Sequence, residues 1–245
     1  SLIKTFVKSC VDIYKKYSFI FDGIDFDYEY ACLPSDSNCG TIKTHSINDR
    51  ENFYLLVKEF RDQMGPTPIL TLDISAELKK MDAIDFQRIN PLVNSYNIMT
   101  YDFAGQQSIY TGHHTQVSFD EEDPETYRRN LSCEAATNYL IKSGATKEKI
   151  DIGVAFYGRG FFFEESDKTT RPFFKNSGPM TVENFFDYRD IMSQYVGRDN
   201  STTFYDDGAN APYLINYEGK YLISYDNVRS IRSKVDLTIR FGLEG

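Results

Sequence analysis

The chain has 245 residues, 41% hydrophobic and 26% charged, enough for one large domain or two small ones around a substantial core. Its 27 basic and 36 acidic residues leave a net charge of −9, which argues against duplex nucleic acid as a partner, since phosphate binding needs a basic surface. No apolar run approaches the roughly 18 residues needed to cross a bilayer, so no membrane partner is expected, and Ser1-Leu2-Ile3-Lys4 does not read as a signal peptide.

Phe6, Val7, Cys10, Val11, Ile13 and Tyr14 recur at helical spacing, predicting an amphipathic helix over 3–17. A strand follows over 18–28, then a polar loop over 31–47 with Pro34 and Gly40. Asp49 caps a second helix with the stripe Phe53, Leu56, Val57 and Phe60, stopped by Gly65-Pro66-Thr67-Pro68. Ile69 to Ile74 reads as a strand, 84–92 as a short helix and Tyr96 to Tyr101 as a strand. A long polar loop with His113-His114 precedes a helix over 123–143 and a strand over 150–156. Regular alternation of helices and apolar strands indicates a parallel sheet covered by helices. From Gly158 to about Tyr225 the rhythm breaks into aromatic-rich runs and turns such as Asp206-Asp207-Gly208, the pattern of a small α+β insertion. A last helix over 226–240 carries Val228, Ile231, Val235 and Ile239 on one face.

The four cysteines are Cys10, Cys32, Cys39 and Cys133, which allow three full pairings that sequence does not decide among. Cys32 and Cys39 bracket a polar loop and could pair locally, while Cys10 reads as a buried thiol. Two sequons, Asn130-Leu131-Ser132 and Asn200-Ser201-Thr202, lean toward a secreted protein.

The most informative stretch is Asp22-Gly23-Ile24-Asp25-Phe26-Asp27-Tyr28-Glu29-Tyr30. Side chains alternate along a strand, so Asp25, Asp27 and Glu29 share one face and Phe26, Tyr28 and Tyr30 the other. Neighbouring carboxylates would lie about 6.6 Å apart along the strand. Such crowding costs energy unless protons, hydrogen bonds or a cation offset it, which points to acid chemistry. Taken alone, an acidic strand is more often a solvated edge or a cation site.

Several separated segments resemble the glycoside hydrolase family 18 chitinases. Asp22, Asp25, Asp27 and Glu29 complete the signature Asp-x-x-Asp-x-Asp-x-Glu. Met99-Thr100-Tyr101-Asp102 looks like the family's Met-x-Tyr-Asp, and Tyr157-Gly158-Arg159 like its Tyr-Gly-Arg. Pro212-Tyr213, Ile223 to Asp226 and Ser230 to Val235 follow in the family's order.

The resemblance implies an α/β (β/α)₈ TIM barrel with catalytic groups at the carboxyl ends of the strands. The opening acidic strand would be strand four. On that reading 1–159 and 224–245 hold only strands four to seven and the last helix, and 160–223 form the α+β insertion. A half barrel cannot close, so the expectation is part of a longer polypeptide, inactive when isolated.

The resemblance also implies a substrate-assisted, retaining mechanism. Glu29 would be general acid and then base. Asp27 would orient the 2-acetamido group, and Tyr101 would hold its carbonyl oxygen. Asp25 can share a proton with Asp27, keeping Glu29 protonated. Asp22 supports the strand's backbone and its neighbours. Asp102 and Arg159 look like a substrate-contacting pair, with Met99 and Tyr157 lining the same subsite. The expected partner is chitin or N-acetylglucosamine oligosaccharide, bound by a monomer with no cofactor and no metal. His113-His114 reads as a polar loop pair, because no carboxylate or third histidine sits at ligand spacing. Three departures stand out. Tyr28 replaces the motif's usual Trp and Ala31 a common Pro, and no Trp exists to stack beneath the sugar. The alternatives are a non-catalytic chitin-binding lectin, which would typically lose the Glu or an Asp of the motif, and an endo-N-acetylglucosaminidase, which would usually lack the insertion.

Overall fold

The computed structural model describes residues 2–31, 33, 48–164 and 172–245. Two compact units divide the chain, one made of Ser1–Met99, Thr137–Asp151 and Gly242–Gly245, the other of Thr100–Ala136 and Ile152–Phe241.

The first unit opens with helix α1, Leu2–Lys16, then strand β1, Gly23–Asp27. Helix α2, Asp49–Met64, leads to β2, Ile69–Ser75. Two single-turn helices, α3 at Leu78–Met81 and α4 at Phe86–Ile89, precede β3 at Ser95–Met99. Helix α5, Cys133–Lys142, then delivers β4, Ile150–Ile152. The strands form one four-stranded sheet in the order β1-β2-β3-β4, with β1–β2 and β2–β3 parallel.

Parallel pairing demands a buried, branched strand, and β2 meets it: Leu70, Leu72 and Ile74 are at most 1% exposed. Each contributes roughly 1.5–3 kcal/mol by leaving water. Phe26 packs against Phe53 and Phe60 of α2, with ring centroids 5.9 and 5.4 Å apart. Gly23 is required by close approach, because a Cβ there would lie 1.9 Å from the Ile69 carbonyl oxygen. Arg61 fastens the loops at the far end of α2. Its guanidinium donates to the carbonyls of Leu92 at 2.7 Å, Gly65 at 2.9 Å and Pro68 at 2.8 Å.

Several expectations change here. The first strand is Gly23–Asp27, not 18–28, since residues 17–20 form turns. The second helix begins at Asp49 with Asn48 as its cap residue, so Asp49 is helical and buried. In α1 only Val7 and Val11 are buried, Cys10 is half-buried, and Phe6 and Ile13 are more than half exposed. The suggested Cys32–Cys39 pair lies outside the described residues.

The second unit is built on a six-stranded sheet of β5 (Tyr157–Glu164), β6 (Lys175–Pro179), β7 (Phe186–Asp187), β8 (Thr202–Asp206), β9 (Ala211–Asn216) and β10 (Tyr221–Tyr225). Its order is β6-β5-β10-β9-β8, with β7 also on β5, and the pairings are antiparallel. Alternation sends Phe161, Phe163, Tyr213, Ile215 and Leu222 into one buried cluster and Leu214, Ile223 and Tyr225 into another. The sheet is thus buried on both faces, which explains its dense aromatic usage.

The predicted helix over 123–143 starts only at Cys133. Residues before it fold around the fully buried Arg128, whose guanidinium meets Asp123 at 2.8 and 2.9 Å and the carbonyls of Tyr110 and Thr111. A buried cation must saturate its donors, and that requirement overrides helical periodicity. The predicted strand over 150–156 ends at Ile152. Beyond it the Gly153 carbonyl accepts from Thr100 at 2.8 Å and Lys234 at 3.0 Å, and the Ala155 N–H donates to Asp226 at 3.3 Å.

The last helix, α7 at Val228–Phe241, buries Ser230, Lys234 and Leu237 and leaves Val228, Val235 and Ile239 exposed. This reverses the expected face. A buried ion pair, Lys234 to Asp226 at 2.7 Å, sets the helix rotation instead of the apolar stripe.

Candidate active site

Strand register assembles the acidic site in the first unit. Asp25 lies opposite Thr71 and Asp27 opposite Asp73 on the parallel pair β1–β2, while Asp73 lies opposite Asn97 on β3. Registered partners point to the same face, so one polar layer runs across three strands at their carboxyl ends. Asn97 donates its amide to Asp73 at 2.9 Å and to Asp25 at 3.3 Å. The Thr71 hydroxyl also donates to Asp25.

Asp27 ends β1, and Glu29 lies in the turn that follows. Burial and then the charges of Glu29 and Asp25 hold the Asp27 carboxyl above its ordinary range, and Asp27 shares a hydrogen bond with Glu29. Burial likewise raises Asp73, assisted by Asp25 and Asp27 and opposed by the Asn97 amide. The carboxyls therefore form two hydrogen-bonded pairs, Asp27 with Glu29 and Asp25 with Asp73. The raised Asp27 and Asp73 carboxyls hold their protons to higher pH than usual, the direction that acid catalysis needs.

Tyr28 stacks on Phe53, with centroids 5.8 Å apart, behind the acidic face. Tyr30 does not continue the alternation expected of it. It lies past the strand, its hydroxyl hydrogen-bonds Glu29, and Lys80 sits 3.8 Å over its ring. Asp22 contributes its carbonyl to the Ile69 N–H at 3.0 Å, while its side chain is exposed. Met99 ends β3, half-buried, opposite Ser75.

The second unit holds a separate polar–aromatic cluster. Arg159 Nε donates to Asp102 Oδ1 at 2.7 Å, and its Nη1 reaches the carbonyls of Asn184 at 3.0 Å and Glu183 at 3.2 Å. Burial opposes the Asp102 charge, but the hydrogen bond and charge of Arg159 outweigh it and hold the carboxyl below its usual range. Asp102 takes a positive φ of 62°, the left-handed region that Asp tolerates. Tyr157 meets Tyr101 edge-on at 6.0 Å and stacks on Phe185 at 4.8 Å. Burial, then the charge of Asp102, raises the Tyr157 hydroxyl, so it stays a proton donor.

His114 packs on the Tyr157 ring at 5.2 Å and is fully buried, which lowers its pKa to about 4 and keeps it neutral. It is a core residue, not part of a polar loop pair, and His113 is buried as well.

Asp25, Asp27 and Glu29 thus come together as read, and Tyr101, Asp102, Tyr157 and Arg159 form their own cluster. Asp73, Thr71 and Asn97 were missed, as were His114 and Phe185. The signal for Asp73 was present, since Thr71, Asp73 and Ser75 alternate with Leu70, Leu72 and Ile74.

The profile described as glycosyl hydrolases family 18 matches residues 3–245. The chain belongs to this family. Chitinase 2 of Yersinia entomophaga is 33% identical over 263 residues, covering 99% of this chain and 40% of the relative. Chitinase A1 of Niallia circulans is 28% identical over 258 residues, covering 99% of this chain and 36% of that one. This family member therefore spans less than half the length of these two relatives. Among solved structures, a family 18 N-acetylglucosaminidase from Paenibacillus barengoltzii superposes with a TM-score of 0.84 at 28% identity, covering 99% of this chain and 69% of that chain. A group IV chitinase of Ostrinia furnacalis in complex with allosamidin gives a TM-score of 0.84 at 25% identity, with coverages of 99% and 64%. The fold is mixed α/β like that of these family 18 neighbours; among the described residues one sheet has four strands, with β1–β2 and β2–β3 parallel.

Proposed function

We propose that the protein cleaves β-1,4-linked N-acetylglucosamine polymers with retention, through an oxazolinium ion, with Glu29 as general acid and base. The observation that carries this reading is the hydrogen-bonded Asp27–Glu29 pair, in which the Asp27 carboxyl is held above its ordinary range. When the proton shared by the pair sits on Glu29, the Asp27 carboxylate can turn to the substrate's acetamido group as charge develops.

Glu29 gives its proton to the glycosidic oxygen while the acetamido carbonyl oxygen attacks the anomeric carbon and the bond to the leaving sugar breaks. Asp27 accepts from the acetamido N–H and offsets the positive ring. Glu29, now a carboxylate, takes a proton from water as the water oxygen adds to the anomeric carbon and that carbon's bond to the acetamido oxygen breaks, restoring the acetamido group. Asp25, paired with Asp73, supplies the negative charge that keeps the proton on the outer pair. Tyr101 is assigned to the acetamido oxygen, and Met99, Asp102, Tyr157 and Arg159 to substrate binding.

The sugar class is supported by relatives named as chitinases and by a solved neighbour named as an N-acetylglucosaminidase. We assign the four-stranded sheet to an eight-stranded barrel. Among the described residues no helix is long and apolar enough to cross a membrane. Exposed Asn130 and Asn200 within sequons support secretion.

Glu29→Gln in the full-length protein tests the reading. It should lower turnover of chitin oligosaccharides by about 10²–10⁴-fold while leaving oligosaccharide binding in place. Hydrolysis at the parental rate would remove Glu29 from the mechanism and favour another acid.

A further inference from the structure

Outside the acidic strand, the described residues bring together one further cluster of metal-ligating side chains. His113, Asp120 and Asp206 each aim one ligand atom at the others, all within 4.8 Å. We infer that these three residues form a binding site for one divalent transition cation of the zinc type. They lie in the second unit.

Local sequence does not show this site. Asp120 and Asp206 approach His113 only after the segment following β3 is laid against the end of β8. That approach is fixed by main-chain bonds, since the N–H groups of Val117 and Ser118 both donate to the Ala209 carbonyl, at 3.0 and 3.1 Å. The expectation that His113 lacks a carboxylate at ligand spacing fails for this reason.

Each aspartate divides its two oxygens. Asp206 Oδ1 accepts from the N–H groups of Gly208 at 2.9 Å and Ala209 at 3.0 Å, leaving Oδ2 for His113 Nε2 at 3.1 Å. Asp120 Oδ1 accepts from the Glu122 N–H at 2.9 Å, and its Oδ2 is buried with no hydrogen-bond partner. Asp120 is 7% exposed and His113 is 2% exposed. One oxygen of each carboxylate is thus held by backbone donors and the other is left to bind, which is how outer contacts orient metal ligands.

The separation of His113 and Asp206 suits a cation. Two ligands each about 2.1 Å from a tetrahedral zinc lie roughly 3.4 Å apart, close to the separation of His113 Nε2 and Asp206 Oδ2. One imidazole with two carboxylates favours zinc or manganese over calcium or magnesium, which prefer all-oxygen shells. A cation would supply the partner that Asp120 Oδ2 lacks. Lone carboxyl oxygens in such surroundings are costly. Nδ1 of His113 has no hydrogen-bond partner, and the ring is held by edge-on contacts with Tyr213 at 5.5 Å and Phe173 at 6.3 Å.

The competing account is a metal-free network in which Asp120 carries a proton and His113 simply pairs with Asp206. Titration of the protein with Co²⁺ in chelator-free buffer separates the two. One saturable equivalent with visible d–d absorption, displaced by Zn²⁺, is expected, and Asp120→Asn and His113→Gln should each weaken it by more than about tenfold. Absence of a stoichiometric equivalent, or an equivalent unchanged by both substitutions, overturns the site. X-ray absorption of the unsubstituted Zn²⁺ complex gives a readout that no misfolded variant can confuse. One imidazole among oxygen ligands supports the site, and any other shell overturns it.

Discussion

Asp27 and Asp73 are register partners at the carboxyl ends of two parallel strands, and both carboxyls are held above their ordinary range. The Asp27 charge raises Asp73, and repulsion between two carboxylates acts on both, so removing Asp73's carboxyl should lower the affinity of Asp27 for its proton. Asp73→Asn should shift the alkaline limb of the pH–rate profile to lower pH, because the proton-donating form is lost sooner. A pH series of kcat for parent and variant checks this; an unmoved alkaline limb would detach Asp73 from the proton pair.

Arg159 grips Asp102 through Nε and two carbonyls through Nη1, a fork that lysine cannot reproduce. Arg159→Lys should let the Asp102 pKa rise toward its ordinary value, as the charge-assisted hydrogen bond is lost. Carboxyl ¹³C NMR titration reads the shift directly, and Asp102 should then be protonated at a higher pH than in the parent.

His114 has a folded-state pKa of about 4 against an ordinary 6.5, because burial disfavours the cation. Between those values the unfolded chain binds a proton that the folded chain does not. Stability should therefore fall as pH drops below 6.5, by on the order of 3 kcal/mol at pH 4. Urea denaturation across this range tests it, and His114→Gln should remove that part of the slope.

Arg128 is fully buried against Asp123 and Glu125. Arg128→Met strands two buried carboxylates and should cost about 3–5 kcal/mol in urea denaturation. Replacing Asp123 by Asn in the same chain should recover part of the loss, since one uncompensated charge then disappears.

The strands of the first unit were legible because their chemistry is local. Leu70, Leu72 and Ile74 must be buried, and Asp25 and Asp27 alternate with Ile24 and Phe26. The helix over 123–143 and the apolar face of α7 were misread because buried ions decided them. Arg128 pulled its chain out of helical form, and Lys234 turned α7 so that its own stem faces inward. Periodicity counts apolar residues, and neither cation registers in that count.

By itself the sequence determined the acidic strand, the alternation of helices and strands, and the family that those motifs resemble. Each motif among these rests on residues within a few positions of one another. Only the tertiary structure placed Asp73 beside Asp27, paired Asp25 with Asp73, buried His114 on Tyr157, and carried Asp206 to His113. Such contacts depend on strand register and on where buried charges find partners, and neither is written in the spacing of any single segment. The run from Asp22 to Glu29 is thus half of its own site: β2 and β3 supply the carboxyl and amide that govern its protons.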